Sequence, residues 1–168
     1  MKRILLITGM VVLCAMQGFA QDSKVDLFAG YSFLHTSPGS GLSSADAHGW
    51  EGAATWNWNN WLGLKADFDG HYCCDASLHN FLFGPQINLG HGKLAPFVHG
   101  LVGVSHGSAG GVTDDAFAFA LGGGLDVKAT DRIAIRIAQA DYFGTRFAGY
   151  TQNNFRFSAG LVFKFGSK

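Results

Sequence analysis

Hydrophobic and polar residues alternate along most of the chain with a period of two, the pattern of β-strands that have one apolar face. The segment FRFSAGLVFKF, Phe155 to Phe165, shows it clearly, because its even positions include Arg156, Ser158 and Lys164 while its odd positions are apolar. Alternation and turn residues together predict eight strands and no helix. The predicted strands are 24–36, 48–59, 62–73, 78–90, 94–106, 115–129, 132–146 and 153–166.

The connections between these strands are predicted to alternate in length. Residues 59–61, 90–93 and 129–131 form tight turns, whereas longer connections rich in Gly, Ser, Asp and Asn are predicted near 37–47, 74–77, 107–114 and 147–152. In an up-and-down barrel, the tight turns and both termini then share one end, here called the turn end, and the longer connections form the loop end. This asymmetry is typical of outer-membrane barrels.

The two faces of the strands decide between two kinds of barrel. A soluble barrel that binds a hydrophobic ligand would turn the aromatic face inward, but eight strands leave an interior only wide enough for side chains or one small ligand. A membrane barrel turns the aromatic face to lipid and fills its lumen with the small and charged residues. The number of large apolar side chains favours the second kind. We therefore predict an all-β, eight-stranded antiparallel up-and-down transmembrane β-barrel.

The predicted inner face carries charges of both signs. Buried charges are tolerated when they are paired and hydrogen-bonded. We therefore predict a polar network in the lumen that contains Glu51, Lys65, Asp67, Arg136 and Arg156. The same face includes Asp26, Gly30, Ser32, Thr55, Asn57, Asp69, Gln86, Asn88, Ala116, Ala118, Ala120, Gly122, Arg132, Ala138, Ser158 and Lys164. Strand 94–106 is apolar at odd and even positions alike, so its faces stay unassigned.

Aromatic residues concentrate near both ends of the predicted strands, as expected for the girdles of a membrane barrel. High β-propensity also enriches aromatic residues in any strand. The turn-end set is Trp58, Trp61, Phe163 and Phe165, and the loop-end set is Tyr31, Phe33, Trp50, Tyr72, Tyr142 and Phe143.

The first residues predict export from the cytoplasm. Lys2 and Arg3 precede the apolar run 4–13, and small residues end at Ala20, which is the pattern of a signal peptide cleaved after about Ala20. Residues 21–168 then form the barrel domain.

Because the whole chain has 12 basic and 12 acidic residues, removal of Lys2 and Arg3 leaves 10 basic residues against 12 acidic ones. This balance argues against nucleic-acid binding.

Three phrases of the sequence resemble a known family: VDLFAGYSF, FALGGGLDVKATDRIAIRIAQADYF and FRFSAGLVFKF. They resemble the small eight-stranded outer-membrane barrels, which include the OmpA transmembrane domain, OmpX and the opacity-type adhesins, and the resemblance covers residues 24–166. It implies a protein of the Gram-negative cell outer membrane with a structural or surface-interaction role, and we predict no cofactor. The implied partners are outer-membrane lipid and, through the C-terminal strand, the outer-membrane assembly machinery. No open pore is expected, since side chains fill so narrow a lumen.

One alternative is a lipid-modifying hydrolase. His106 and Ser108 are two residues apart and share a strand face, as a base and a nucleophile require. The acid that would orient the histidine is missing from its expected place, since Asp114 and Asp115 are predicted to lie in a loop. We therefore predict no enzyme.

Metal binding is a further alternative for the loop end. His35, His48, His71, His79 and His106 are predicted there together with Asp46, Asp75, Asp114 and Asp115, but no compact ligand spacing occurs. Solvated loop residues are the preferred interpretation. Cys73 and Cys74 are adjacent, and a strained vicinal disulfide, metal binding and intermolecular pairing all stay open.

Overall fold

The computed structural model describes residues 23–37, 44–73, 76–90, 92–147 and 150–166, so the predicted signal peptide and Cys74 lie outside the described residues. All regular structure in the described residues is β-strand. The strands are β1 Val25–Ser37, β2 Ala45–Asn57, β3 Leu62–Cys73, β4 Ala76–Asn88, β5 Leu94–Ala109, β6 Val112–Lys128, β7 Ile133–Phe147 and β8 Tyr150–Phe165. Among these residues no helix is long and apolar enough to cross a membrane.

The eight strands form a closed antiparallel barrel in sequence order. Each strand pairs with the next, and β8 closes the barrel by pairing with β1, with Val25 opposite Phe165 and Ser37 opposite Asn153. Closure leaves no unpaired sheet edge, which satisfies the backbone hydrogen-bonding groups within the wall itself. The predicted fold class is confirmed.

The connections at the loop end are shorter than predicted. β5 continues to Ala109 and β6 begins at Val112, so Gly110 and Gly111 alone make the turn. Both have a positive φ, at 57° and 81°, which suits a two-residue hairpin turn. Polar residues within 107–114 made this segment resemble a loop, but a strand that projects beyond an apolar region can be polar on both faces. β7 likewise continues to Phe147, and β8 begins at Tyr150.

The outer wall of the barrel is apolar. Its exposed side chains include Trp56, Phe83, Leu121, Ile135 and Phe157. On β4 and the turn beyond it, exposed apolar residues run from Phe81 to Leu89, a distance of about 27 Å along the strand and about 20 Å along the axis at a tilt of about 40°. This height is close to the apolar band of about 25 Å that a membrane barrel presents. The aromatic face therefore lies outside, which contradicts the alternative of a soluble barrel with an aromatic interior.

A β-bulge in β7 changes which of its residues point inward. Ile137 and Ala138 are both exposed, while Arg136 and Gln139 on either side are buried. In the pairing with β8, Arg136 lies opposite Gly160 and Gln139 opposite Ser158, so β7 contains one extra residue. The prediction that Ala138 faces the lumen was therefore wrong.

Two further predictions for β7 were wrong. Phe143 lies in the interior with no exposed surface, and not in the loop-end aromatic set, because the bulge has changed its parity. Arg132 is exposed, because it precedes the first residue of β7, Ile133.

Apolar side chains fill two parts of the interior. One cluster consists of Leu34, Leu82, Leu101, Ala118, Ala120 and Phe143. The other consists of Phe28, Ala53, Ala134 and Val162. In the first cluster, Leu34 is the register partner of Arg156 and Leu82 is that of Asp67. In the second cluster, Ala53 is also a register partner of Asp67. Both apolar clusters therefore border charged side chains.

Candidate functional site

The guanidinium group of Arg156 lies at the centre of an ion network inside the barrel. Arg156 on β8 donates from Nη1 to Asp67 Oδ1 at 2.8 Å and also to Asp69. From Nε and Nη2 it donates to Asp141 Oδ2, at 2.9 Å and 2.7 Å. All four side chains are at most 2% exposed. One guanidinium therefore holds together carboxylates from β3 and β7, which suits its planar array of donors.

Lys65 supplies the second positive charge of this network. Its Nζ lies 2.8 Å from Asp67 Oδ2 and 3.5 Å from Glu51 Oε1. Glu51 also accepts a hydrogen bond of 2.5 Å from Ser158 Oγ. β2, β3 and β8 are thereby joined across the lumen, and each of these charged groups has a partner of the opposite sign, as burial requires.

Gln139 connects this central network to Arg136. Its Nε2 donates to Glu51 Oε1 at 2.9 Å and to Asp141 Oδ2 at 2.8 Å. Its Oε1 accepts from Arg136 Nη1 at 2.7 Å. The structure thus places Glu51, Lys65, Asp67, Arg136 and Arg156 in one connected interior cluster.

Arg136 is held between two aromatic rings. Its guanidinium carbon lies 4.3 Å from the ring centroid of Phe28 and 4.3 Å from that of Phe97. The same guanidinium donates to both carboxylate oxygens of Asp126, at 2.8 Å and 3.1 Å. Cation–π contact and a bidentate ion pair together fix this side chain across the lumen.

Two buried histidines extend the network. His71 Nδ1 lies 3.0 Å from Asp69 Oδ1, and its Nε2 lies 2.9 Å from Ser32 Oγ. His99 Nε2 lies 2.9 Å from Asp141 Oδ1. Both imidazoles therefore contact carboxylates that Arg156 also binds.

Glycines in β6 provide the space that this arrangement needs. A Cβ at Gly122 would lie 2.1 Å from Asp141 Oδ1, and a Cβ at Gly124 would lie 2.8 Å from the Phe97 ring. The run Gly122 to Gly124 thus permits close packing of interior side chains against the wall.

Asp141, Gln139 and His99 were missing from the predicted network. Asp141 and Gln139 follow the bulge, so a strict alternation from Ile133 onward does not reveal their shared face with Arg136. The sequence did contain a signal, because the odd positions of β7 change from apolar, as at Ile133, to polar, as at Asp141. His99 lies on β5, whose two faces are equally apolar in sequence, and only the register with its neighbours places it inside.

The turn end of the lumen is lined by amides. Asn57 Nδ2 donates to Asp26 Oδ2 at 3.0 Å, Asn88 Nδ2 donates to Asn57 Oδ1 at 3.0 Å, and Gln86 Nε2 donates to Asn88 Oδ1 at 2.9 Å. These side chains border a cavity of about 60 Å³. Beyond this cavity, towards the loop end, Phe97 and the ion network occupy the interior.

The structure corrects the position of Asp115. This residue lies in β6 opposite His106, with 2.5 Å between Asp115 Oδ1 and His106 Nδ1, and not in a loop. No hydrogen bond joins Ser108 to His106 in the part of the chain that the structure describes. His106, the candidate base, therefore has an acidic partner, but Ser108, the candidate nucleophile, is not hydrogen-bonded to it. Within the described ranges, no three metal-type side chains come together in a group that could hold an ion.

Comparisons with known proteins support the fold. No family model matches the chain, and no curated protein matches it. Among solved structures, the barrel is similar to Neisserial surface protein A, with a TM-score of 0.72 and 16% identity over 85% of this chain and 98% of that one. It is also similar to Ail, the attachment invasion locus protein of Yersinia pestis, with a TM-score of 0.59 and 17% identity over 84% of this chain and 99% of that one.

A third similar structure is the N-terminal β-barrel domain of Pseudomonas aeruginosa OprF, with a TM-score of 0.56 and 14% identity over 85% of this chain and 100% of that one. At sequence identities this low, the structural similarity shows a shared fold. The chain therefore has the fold of the small eight-stranded outer-membrane β-barrels.

Proposed function

We propose that this chain is an outer-membrane barrel with a structural or surface-interaction role, and that it neither conducts solutes nor catalyses a reaction. One observation carries the proposal: the outer wall is apolar, whereas the interior is occupied by a paired ion network and two apolar clusters. A closed sheet with this inside-out distribution is stable in a bilayer. Exposed in water, the same wall would promote aggregation.

The proposed location requires export and membrane assembly. We propose that residues 1–20 act as a signal peptide cleaved after about Ala20, and that β8 is the strand read by the outer-membrane assembly machinery. β8 presents Phe155, Phe157, Leu161, Phe163 and Phe165 on the outer wall. This apolar, aromatic face is the feature of the strand that supports the proposal.

The proposed absence of conduction follows from the packing of the lumen. Arg156, Lys65, Leu82 and Phe143 reach towards one another from the wall, and none has more than 1% of its surface exposed. An eight-stranded barrel has an interior only wide enough for such side chains. Ions would have to displace paired charges that stabilise one another, which is costly in a low-dielectric interior.

The proposed interaction surface consists of the hairpins at the loop end. β5 and β6 have 16 and 17 residues, whereas a strand crosses a bilayer with about 9–11. The excess residues project beyond the apolar band as a hairpin ending at Gly110 and Gly111. Two of the similar structures are those of a surface protein and an attachment protein, which supports an outward-facing role.

Membrane location and closure are tested together. Cells that express the full chain are fractionated, and the outer-membrane fraction is run on gels with and without boiling. A heat-modifiable band in that fraction, together with a silent planar bilayer containing the purified barrel, is the expected result. Recovery from the periplasm without detergent would contradict the membrane assignment, and stable single-channel steps would contradict the closed lumen.

The orientation is tested by chemical labelling of intact cells. In a background with Cys73→Ser and Cys74→Ser, we expect Asp114→Cys at the loop end to react with a membrane-impermeant maleimide. The matched control Thr130→Cys lies at the turn end and is expected to react only after lysis. The opposite labelling pattern would mean that the proposed surface faces the periplasm.

A further inference from the structure

Four histidines project from the outer wall near the loop end. They are His35 on β1, His48 on β2, His79 on β4 and His106 on β5, and we refer to them as the histidine collar. His48, His79 and His106 are exposed, and the His35 side chain is 41% exposed. They differ from His71 and His99, which are buried inside the barrel.

The collar lies immediately beyond the apolar band. His48 is two residues from the exposed Trp50, and His79 is two residues from the exposed Phe81. Two residues along a strand correspond to about 7 Å, or about 5 Å along the axis of a tilted barrel. This is the height at which acyl chains end and the polar headgroups of a bilayer begin.

The collar consists of two sectors with acidic partners. In the first, His35 Nδ1 lies 2.6 Å from Asp46 Oδ1. His48 in the same sector contacts the Tyr31 hydroxyl and packs against the Phe33 ring at 5.4 Å between ring centroids.

In the second sector, His79 and His106 are direct cross-strand partners on β4 and β5. Their Cβ atoms therefore lie about 5 Å apart. His106 also contacts Asp115 at 2.5 Å, and His79 packs edge-on against Tyr72 at 5.5 Å between ring centroids.

Permanent cations with described side chains lie inside the barrel or at its turn end. Lys24, Lys93 and Arg132 are exposed at the turn end, and Lys128 and Lys164 line the turn-end cavity and are partly exposed. On β7, Arg146 is the register partner of Phe117, and its side chain falls outside the described part. Among the described side chains, histidines thus hold the positions next to the loop-end headgroups.

The formal charge of the collar reverses with protonation. The carboxylates beside it are Asp46, Asp115 and the adjacent, exposed Asp114. With neutral imidazoles the sum is −3, and with four imidazolium groups it is −3 + 4 = +1. The sector of His79, His106, Asp114 and Asp115 changes from −2 to 0, and the sector of His35, His48 and Asp46 changes from −1 to +1. The charge of the collar is therefore set by how many of its imidazoles carry a second proton.

We propose that the histidine collar is a pH-dependent binding site for the phosphate groups of membrane lipids, anchored by the His79–His106 pair. In acid, two adjacent imidazolium groups face one phosphate at headgroup height, and charge-assisted hydrogen bonds hold it. When these imidazoles are neutral they are no longer charged donors, and the carboxylate of Asp115 repels the same phosphate. The inference concerns the wall of the barrel and does not depend on any partner of the hairpins.

The test uses the full barrel reconstituted in phosphatidylcholine bilayers. Spin-labelled phosphatidylglycerol is the probe, because its single phosphate charge is the same at about pH 5.5 and about pH 7.5. The measured quantity is its selectivity for the protein surface relative to spin-labelled phosphatidylcholine. We expect the selectivity to be higher in acid by a factor on the order of ten.

Three variants separate the collar from other charges. His79→Gln with His106→Gln is expected to abolish the pH dependence, whereas His79→Arg with His106→Arg is expected to keep the selectivity high at both pH values. The matched control Lys24→Gln removes an exposed cation at the turn end, and it is expected to leave the ratio between the two pH values unchanged.

Three results would overturn the proposal. The first is a selectivity that is the same at both pH values in the unmodified protein. The second is a pH dependence that survives in the His79→Gln, His106→Gln variant. The third is loss of selectivity when millimolar inorganic phosphate is added, since this would assign the collar to free anions and not to lipid headgroups.

Discussion

Removal of the central guanidinium is the most direct test of the ion network. Arg156→Met keeps a side chain of similar length but removes every donor to Asp67, Asp69 and Asp141. The three carboxylates are then left in a buried site, where Lys65 remains in contact with Asp67 at 2.8 Å. We expect a strongly destabilised barrel.

The size of the effect can be worked from the contacts. Arg156 donates four charged hydrogen bonds, and at about 1.5–3 kcal/mol each their sum is about 6–12 kcal/mol. This sum is an upper bound, because the freed carboxylates can relax towards other donors. Breaking a buried ion pair by removing one partner costs about 3–5 kcal/mol. We therefore expect a loss of about 4 kcal/mol in the free energy of unfolding.

The assay is equilibrium urea unfolding of the refolded barrel in lipid vesicles, followed by tryptophan fluorescence. Lys164→Met is the matched control, because Lys164 pairs with Asp26 at 3.5 Å and both side chains are partly exposed. A pair of this kind contributes about 0–1 kcal/mol. The reasoning is refuted if Arg156→Met is no more destabilising than Lys164→Met.

A double variant tests whether the loss comes from uncompensated charge. In Arg156→Met with Asp141→Asn, one of the carboxylates that have lost their partner becomes a neutral amide that can still hydrogen-bond. We expect the double variant to recover about 1–2 kcal/mol relative to Arg156→Met alone. Additive losses from the two substitutions would mean that charge balance is not the cause.

Three further perturbations test other parts of the barrel. Phe83→Arg places a charge on the outer wall and should cost about 2–4 kcal/mol in bilayer unfolding experiments; an unchanged stability would mean that this wall does not face lipid. Phe97→Ala removes one ring from Arg136 and should cost about 3–5 kcal/mol, whereas Phe97→Leu, which keeps most of the apolar volume, should cost less than half as much; equal losses would show that the ring contact with Arg136, and not the buried apolar volume, sets the cost. Deletion of Ala138 removes the extra residue but keeps Arg136, Gln139 and Asp141 on the inner face, so we expect a heat-modifiable folded band on gels; loss of the band would show that β7 needs the bulge itself to pair with its neighbours.

The predicted network was partly recoverable from the sequence, and the limit lies at identifiable residues. Glu51, Lys65, Asp67 and Arg156 each lie at a polar position of a regular alternation, so strand parity alone placed them on the inner face. Asp69 was placed on that face by the same parity but was not included in the network. The connection from Arg136 through Gln139 depends on contacts between β7 and β2, residues 88 apart in sequence.

The sequence by itself determined the number of strands, their direction and the face that is apolar. Those features depend on local alternation and turn residues, which a period of two makes visible. It also indicated that the lumen would be charged, because Arg156 and Lys65 had no other face to occupy.

Only the tertiary structure decided how the charges are paired and where alternation breaks. The bulge at Ile137 and Ala138 is defined by the register between strands, and it determines that Asp141 and Phe143 point inward. Cross-strand register also places Asp115 beside His106 and His79 beside His106. Pairing across a closed barrel depends on shear and register together, and neither is encoded in any single segment of the chain.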